Sequence, residues 1–118
     1  MSIIGTRYLF QCKANYYNGI RPSNIESFNT EGFKKLVDIA KEYFDKGEIE
    51  DFSGFFEEYQ YNVNLCTAHL ILEYGDFNKE LKIESIEIIK RYSTTPLDEN
   101  LAKEEMEWLL ENESKYIH

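Results

Sequence analysis

Asn62-Val63-Asn64-Leu65-Cys66-Thr67-Ala68-His69-Leu70-Ile71-Leu72-Glu73-Tyr74 decides the fold class of this 118-residue chain. Val63, Leu65, Cys66, Ala68, Leu70, Ile71, Leu72 and Tyr74 make the segment apolar on nearly every side. A helix from about Asn62 to Tyr74 is therefore expected at the centre of a bundle, stopped by Gly75. Before it, Phe33, Leu36, Val37, Ala40, Tyr43 and Phe44 recur at helical spacing over Glu31 to Lys46. Asn29 or Thr30 can cap that helix, and Gly47 suits the left-handed position that ends it. Ile49, Phe52, Phe56 and Tyr59 then stand three, four and three residues apart, which would line the inner face of a short helix with Glu50, Asp51, Glu57 and Glu58 outward.

After Gly75, Leu81, Ile83, Ile86, Ile88, Ile89 and Tyr92 suit another largely buried helix. Leu81-Lys82-Ile83-Glu84 alternates like a strand, but length and the later isoleucine spacing favour helix. A last helix is expected with Thr95 as N-cap, Pro96 at the first helical position and Asp98 near the positive dipole end. Leu97, Leu101, Ala102, Met106, Trp108 and Leu109 would form its buried stripe. Arg7-Tyr8-Leu9-Phe10-Gln11-Cys12 fits helix or strand, with helix favoured. The expected architecture is all-α, five or six helices packed as consecutive antiparallel pairs. No Gly/Ser linker divides the chain, so one domain over residues 1–118 is expected, with residues 1–30 as a distinct N-terminal element among the alternatives.

Charge is unevenly placed. The net charge is −9, yet residues 1–30 hold Arg7, Lys13 and Arg21 against only Glu26, a balance of +2 that leaves −11 on the rest. Between Lys46 and Lys79 there is no Lys or Arg, while Glu48, Glu50, Asp51, Glu57, Glu58, Glu73 and Asp76 are interleaved with Phe52, Phe55, Phe56, Tyr59, Tyr61, Tyr74 and Phe77. Carboxylates without counter-charges repel nucleic acid and anionic lipid, and Tyr and Phe among them are the anchors that protein interfaces favour. A basic protein partner is expected, with no nucleic acid and no membrane, and a monomer is favoured. The residues expected to bind it are Glu50, Asp51, Phe55, Glu57, Glu58, Tyr59, Tyr61, Asp76 and Phe77. In the plainer alternative, Phe52, Phe56 and Tyr59 are core and the carboxylates are simply wetted. Asp98, Glu99, Glu105 and Glu107 offer a second, weaker acidic surface.

Signals for chemistry are sparse. Only His69 and His118 are available, and the His69/Glu73 pair lacks a second His or Cys at ligand spacing, so no metal site is expected. His69 should instead be partly buried and hydrogen-bonded to Glu73 or to a facing helix. The acidic run from Asp45 to Gly54 fails the register of a calcium loop. Glu57-Glu58 and Glu104-Glu105 are adjacent pairs, and neighbours on a helix point about 100° apart, so both read as solvated faces. Phosphate-binding glycine loops and Gly-x-Ser-x-Gly elbows are absent from the sequence. Neither catalysis nor a cofactor is expected. Arg7, Lys13 and Arg21 with Tyr8, Phe10, Tyr16 and Tyr17 suggest a single-strand nucleic-acid platform, but three cations are few against −11. Cys12 and Cys66 lie in apolar runs and read as reduced core thiols. No signal peptide or bilayer-length apolar run occurs, which points to the cytoplasm; without secretion the Asn112-Glu113-Ser114 triplet has no consequence.

Asn64 through Tyr74, Ile86-Glu87-Ile88-Ile89-Lys90 and Leu101-Ala102-Lys103-Glu104-Glu105-Met106-Glu107-Trp108-Leu109 resemble small acidic bacterial immunity proteins with HEAT-like helix pairs. The resemblance lies in rhythm, acidity and size, mainly over residues 62–112. It implies a HEAT-like pairing of helices and a protein that binds and neutralises one cognate basic toxin domain, a nuclease among the candidates, as in contact-dependent growth inhibition. The acidic residues would occupy a cationic cleft, with Phe55, Tyr59 and Tyr61 as anchors. The alternatives are a helical interaction adaptor and a phage-encoded inhibitor of a nucleic-acid-binding enzyme.

Overall fold

A computed structural model describes residues 2–95 and 97–116. Six α-helices lie among these residues: α1 (Ile3–Tyr17), α2 (Glu31–Asp45), α3 (Ile49–Ser53), α4 (Val63–Tyr74), α5 (Lys79–Ser93) and α6 (Glu99–Tyr116). Short 3₁₀ turns cover Ile25–Asn29, Gly54–Glu57 and Gln60–Asn62. No strand occurs among the described residues, so the all-α expectation holds, and the amino-terminal segment is helix. Consecutive helices pack antiparallel, α1 on α2, α4 on α5 and α5 on α6, while α4 also touches α1, α2 and α3.

Every residue of α4 from Val63 to Leu72 is buried, as its all-round apolar pattern requires. The neighbours that cover it are placed by their caps. The side chains of Ser2, Thr30, Asn78 and Asp98 accept the backbone N–H three residues on, from Gly5, Phe33, Leu81 and Leu101, at 3.1, 3.2, 2.8 and 3.1 Å. Each satisfies one of the donors that a helix start leaves unpaired. Gly47, with φ at +71°, follows α2 in the left-handed conformation that costs glycine nothing.

The start of α6 differs from expectation. Asp98 is its N-cap, Thr95 lies outside the helix, and Pro96 falls outside the described residues. The short carboxylate of Asp98 reaches the Leu101 N–H, which moves the boundary three residues on from Thr95. Leu97 is consequently 93% exposed and Met106 is exposed, so the buried stripe of α6 is Leu101, Glu105 and Leu109.

One aromatic cluster closes the core beside α4. The Tyr8 ring lies 4.8 Å from Phe52 and 4.7 Å from Phe55, and Phe52 lies 5.1 Å from Tyr43 and 5.3 Å from Phe44. The Tyr8 hydroxyl meets Thr67 Oγ1 at 2.9 Å. Thr67 donates its own proton to the Val63 carbonyl at 2.8 Å, so Tyr8 is the donor. Burial, with help from the Cys12 and Cys66 thiols, holds the Tyr8 phenol well above its ordinary pKa. Cys12 and Cys66 are both buried free thiols.

Candidate protein-binding face

The expected helix from Ile49 to Tyr59 is two pieces, α3 and the Gly54–Glu57 turn, and this changes which aromatics face outward. Tightening from α-helix to 3₁₀ rotates later residues relative to a 3.6-residue register. Phe52, Phe55 and Phe56 are buried, whereas Tyr59 is 65% exposed. Phe55, expected as an exposed anchor, is therefore a core residue against Tyr8. Tyr59, the last member of the expected inner stripe, is a surface residue in a shallow hollow with Arg91 and Tyr92. Phe77 packs half-buried against Tyr116, with ring centroids 6.1 Å apart, and is an edge of the core rather than a free anchor.

The acidic residues stand where the sequence places them, on the surface. Glu50, Asp51, Glu57, Glu58 and Asp76 are all exposed. Ile49 packs against Gly75 at the end of α4, and the Glu58 carbonyl accepts from the Asn64 N–H at 3.0 Å near its start. The acidic strip thus runs antiparallel to α4, with Glu50 and Asp51 near one end and Glu57 and Glu58 near the other. Ion pairs among the described residues join Arg7 to Glu42, Arg21 to Glu104, His69 to Glu105 and Lys90 to Glu113; none involves this strip.

Beside Glu58, a groove of about 280 Å³ runs between α1 and the Gln60–Asn62 turn, lined by Leu9, Phe10, Lys13, Glu58, Tyr61 and Val63 among others. Its rim is an aromatic cluster: the Tyr61 ring lies 5.6 Å from Tyr16 and 5.8 Å from Tyr17, with Lys13 Nζ 5.5 Å from its centroid. Tyr61 and Asn62 both have left-handed backbone, φ 56° and 57°. Asn tolerates that region, but Tyr there carries strain of order 1–3 kcal/mol, of the kind that concentrates where a side chain must be aimed. It turns the Tyr61 ring onto α1.

Along α1, Ile3, Phe10 and Tyr17 are 84%, 68% and 68% exposed. They stand seven residues apart and so share one face, drifting only about 20° per heptad. This apolar stripe adjoins the groove through Phe10. The site thus brings together Glu58 and Tyr61 of the expected set and adds Phe10, Tyr16 and Tyr17. Sequence reading had these aromatics only as part of a nucleic-acid platform. The signal that locates Phe10 and Tyr17 is the spacing of residues 3, 10 and 17, which becomes legible once this segment is read as helix.

Sequence reading also missed Glu105. It is fully buried, not solvated, and its Oε1 lies 2.5 Å from His69 Nε2, the facing-helix partner expected for His69. Ser23 Oγ lies 3.1 Å from the same nitrogen. A nucleophile–base–orienter relay needs the hydroxyl and the carboxylate on opposite ring nitrogens, so these three groups do not form one. Glu104 is not a wetted face either. Its two oxygens take the Arg21 Nε and Nη2 at 2.7 Å each, and Oε2 also accepts from Asn24 at 2.7 Å. Among the described residues no three His, Cys, Asp or Glu converge as metal ligands, and no helix is long and apolar enough to cross a membrane. His118 lies outside the described residues.

No family model, curated protein or solved structure matches this chain.

Proposed function

We propose that this chain is a stoichiometric inhibitor of a basic toxin domain, acting without catalysis, in the manner of the immunity proteins it resembles. The observation that carries the reading is the adjacency of an exposed apolar stripe on α1 to carboxylates that take no part in the ion pairs among the described residues. Phe10 and Glu58 share one groove, with Glu57 beside it. Interfaces favour aromatic anchors surrounded by charge, and a single-sign field raises the encounter rate with a partner of opposite sign. In this reading Glu50, Asp51, Glu57 and Glu58 enter a cationic cleft, while Phe10, Tyr17, Tyr59 and Tyr61 supply contact area. Asp76 extends the field at the far end of the strip.

Placement of the amino-terminal cations supports a protein partner over nucleic acid. Arg7 pairs with Glu42 at 3.0 Å, Lys13 sits over Tyr61 and Arg21 is held by Glu104. Each already has an internal partner, which leaves little positive surface for phosphate. The test is neutralisation in cells that produce a basic toxin domain together with this chain. Wild type should preserve growth, and Glu57→Lys/Glu58→Lys should lose protection while remaining folded by circular dichroism. Full protection by the charge-reversed protein would remove this face from the mechanism.

A further inference from the structure

A second cavity, larger than the α1 groove, lies away from the proposed face. It is a cleft of about 500 Å³ between the Pro22–Phe28 segment, α2, α4 and α6, within the size range of small-ligand sites. Phe33, Leu36, Leu70 and Trp108 supply apolar wall, and Ile25 and Phe28 stand at its mouth, 80% and 43% exposed. The wall is held rigidly. Trp108 stacks on Tyr116 with centroids 6.0 Å apart and rings 13° from parallel, and meets the His69 ring edge-on at 4.7 Å. Behind it, His69 is fixed by Glu105 and Ser23, and the Pro22–Phe28 segment is tied to α6 by the Arg21–Asn24–Glu104 cluster.

The polar lining has one dominant sign. Glu73, Glu107 and Glu111 line the cleft, are exposed, and take no part in the ion pairs among the described residues. Glu104 also lines it, but Arg21 already meets its charge. The one lysine in the lining, Lys115, donates to Asn112 at 3.1 Å. Tyr74, also in the lining, has the ammonium of Lys41 5.0 Å from its ring centroid, so the rim already holds a cation against an aromatic. An aromatic wall with several carboxylates at its edge is the arrangement that selects an organic cation over a neutral or anionic molecule of equal shape, through ring quadrupole and charge together.

From these features we infer that the cleft binds an alkylammonium group carried on an aliphatic stem, with the stem against Phe33 and Trp108 and the charged head among Glu73, Glu107 and Glu111. The inference is independent of the proposed inhibitor role, since it uses none of the residues of that face. Such a group can be a free amine or a lysine side chain of another polypeptide.

Trp108 is the sole tryptophan, so its fluorescence reports the cleft directly. Titration of the whole chain with hexylamine should give a saturable change in that signal, while hexanol and hexanoate at equal concentration should not. Glu107→Gln/Glu111→Gln, both exposed and so compatible with folding, should weaken hexylamine by about fivefold, as loss of two surface charge contacts implies. A parallel titration with a lysine-containing peptide distinguishes the sources. Tighter saturation by the peptide than by hexylamine assigns the group to a partner's side chain, and tighter saturation by hexylamine assigns it to a free amine. Hexanol matching hexylamine, no saturable response to either cation, or full affinity in the double variant would overturn the inference.

Discussion

Glu105 occupies a position that the pattern of α6 reserves for an aliphatic side chain, four residues from both Leu101 and Leu109. Its Oε1 is met by His69, while its Oε2 is buried with no hydrogen-bond partner among the described residues. A carboxyl so placed depends on one neighbour. His69→Ala should therefore destabilise the protein by about 1–3 kcal/mol or more, the desolvation cost of an orphaned buried polar group. Adding Glu105→Leu should recover part of that loss. Strict additivity of the two changes in urea denaturation would show that the pair is not coupled. Glu104 behaves differently because it is only part-buried. Burial opposes its ionisation, but hydrogen bonds from Arg21 and Asn24 and the Arg21 charge outweigh this and hold the carboxyl below its ordinary value of 4.5. The folded chain then binds this proton less readily than the unfolded one, so the contribution is complete above that value and is lost as the pH falls below it. The urea midpoint should drop on acidification through this window, and Glu104→Gln should flatten the drop. An identical acid profile in the variant would mean that other carboxylates govern it.

The helices were legible where the apolar period is long and unbroken. Residues 31–45 and 63–74 are helical, each within a residue of the expected span, because their apolar patterns leave no strand reading, and Thr30 caps the first as its side chain allows. The acidic stretch was less legible, since a switch from α-helix to 3₁₀ after Ser53 is a tertiary compromise around Tyr8 and α4 that no spacing rule announces. That single shift turned Phe55 inward and Tyr59 outward. The same limit hid Glu105, whose burial depends on His69 across the bundle. Close approach between α1 and α2 was also invisible. Asn15 Nδ2 donates to the Gly32 carbonyl at 3.0 Å, and a Cβ at Gly32 would collide with the Asn15 side chain and approach Ile20 Cδ1 at 2.8 Å. Gly32→Ala, which on an open helix surface would gain up to about 1 kcal/mol, should here destabilise. Asn62→Ile should also cost about 1–2 kcal/mol, because a β-branched residue is forced into the left-handed region that Asn tolerates. A rise in thermal midpoint for either variant would contradict the corresponding geometry.

On one side of the molecule, exposed carboxylates and exposed apolar area adjoin. Arg7 and Arg21 are paired with Glu42 and Glu104, Lys13 sits over Tyr61, the Lys/Arg-free stretch presents Glu50, Asp51, Glu57 and Glu58 outside the ion pairs among the described residues, and α1 leaves Ile3, Phe10 and Tyr17 exposed, with Phe10 in the groove that holds Glu58. An acidic composition kept only for dispersal would not need an apolar stripe next to the carboxylates, because uncovered apolar area works against dispersal. The placement instead suits a partner that is basic and flat enough to meet both features. With the proposed partner, fast electrostatic steering and a contact-limited dissociation rate would follow from it. The association rate with the proposed basic partner domain should therefore be followed by stopped flow across increasing salt, for wild type and for Glu57→Lys/Glu58→Lys. The wild-type rate should fall steeply, by roughly one to two orders of magnitude, while the variant associates slowly at every ionic strength. Association that is insensitive to salt and equally fast in both proteins would contradict a binding face built on these carboxylates.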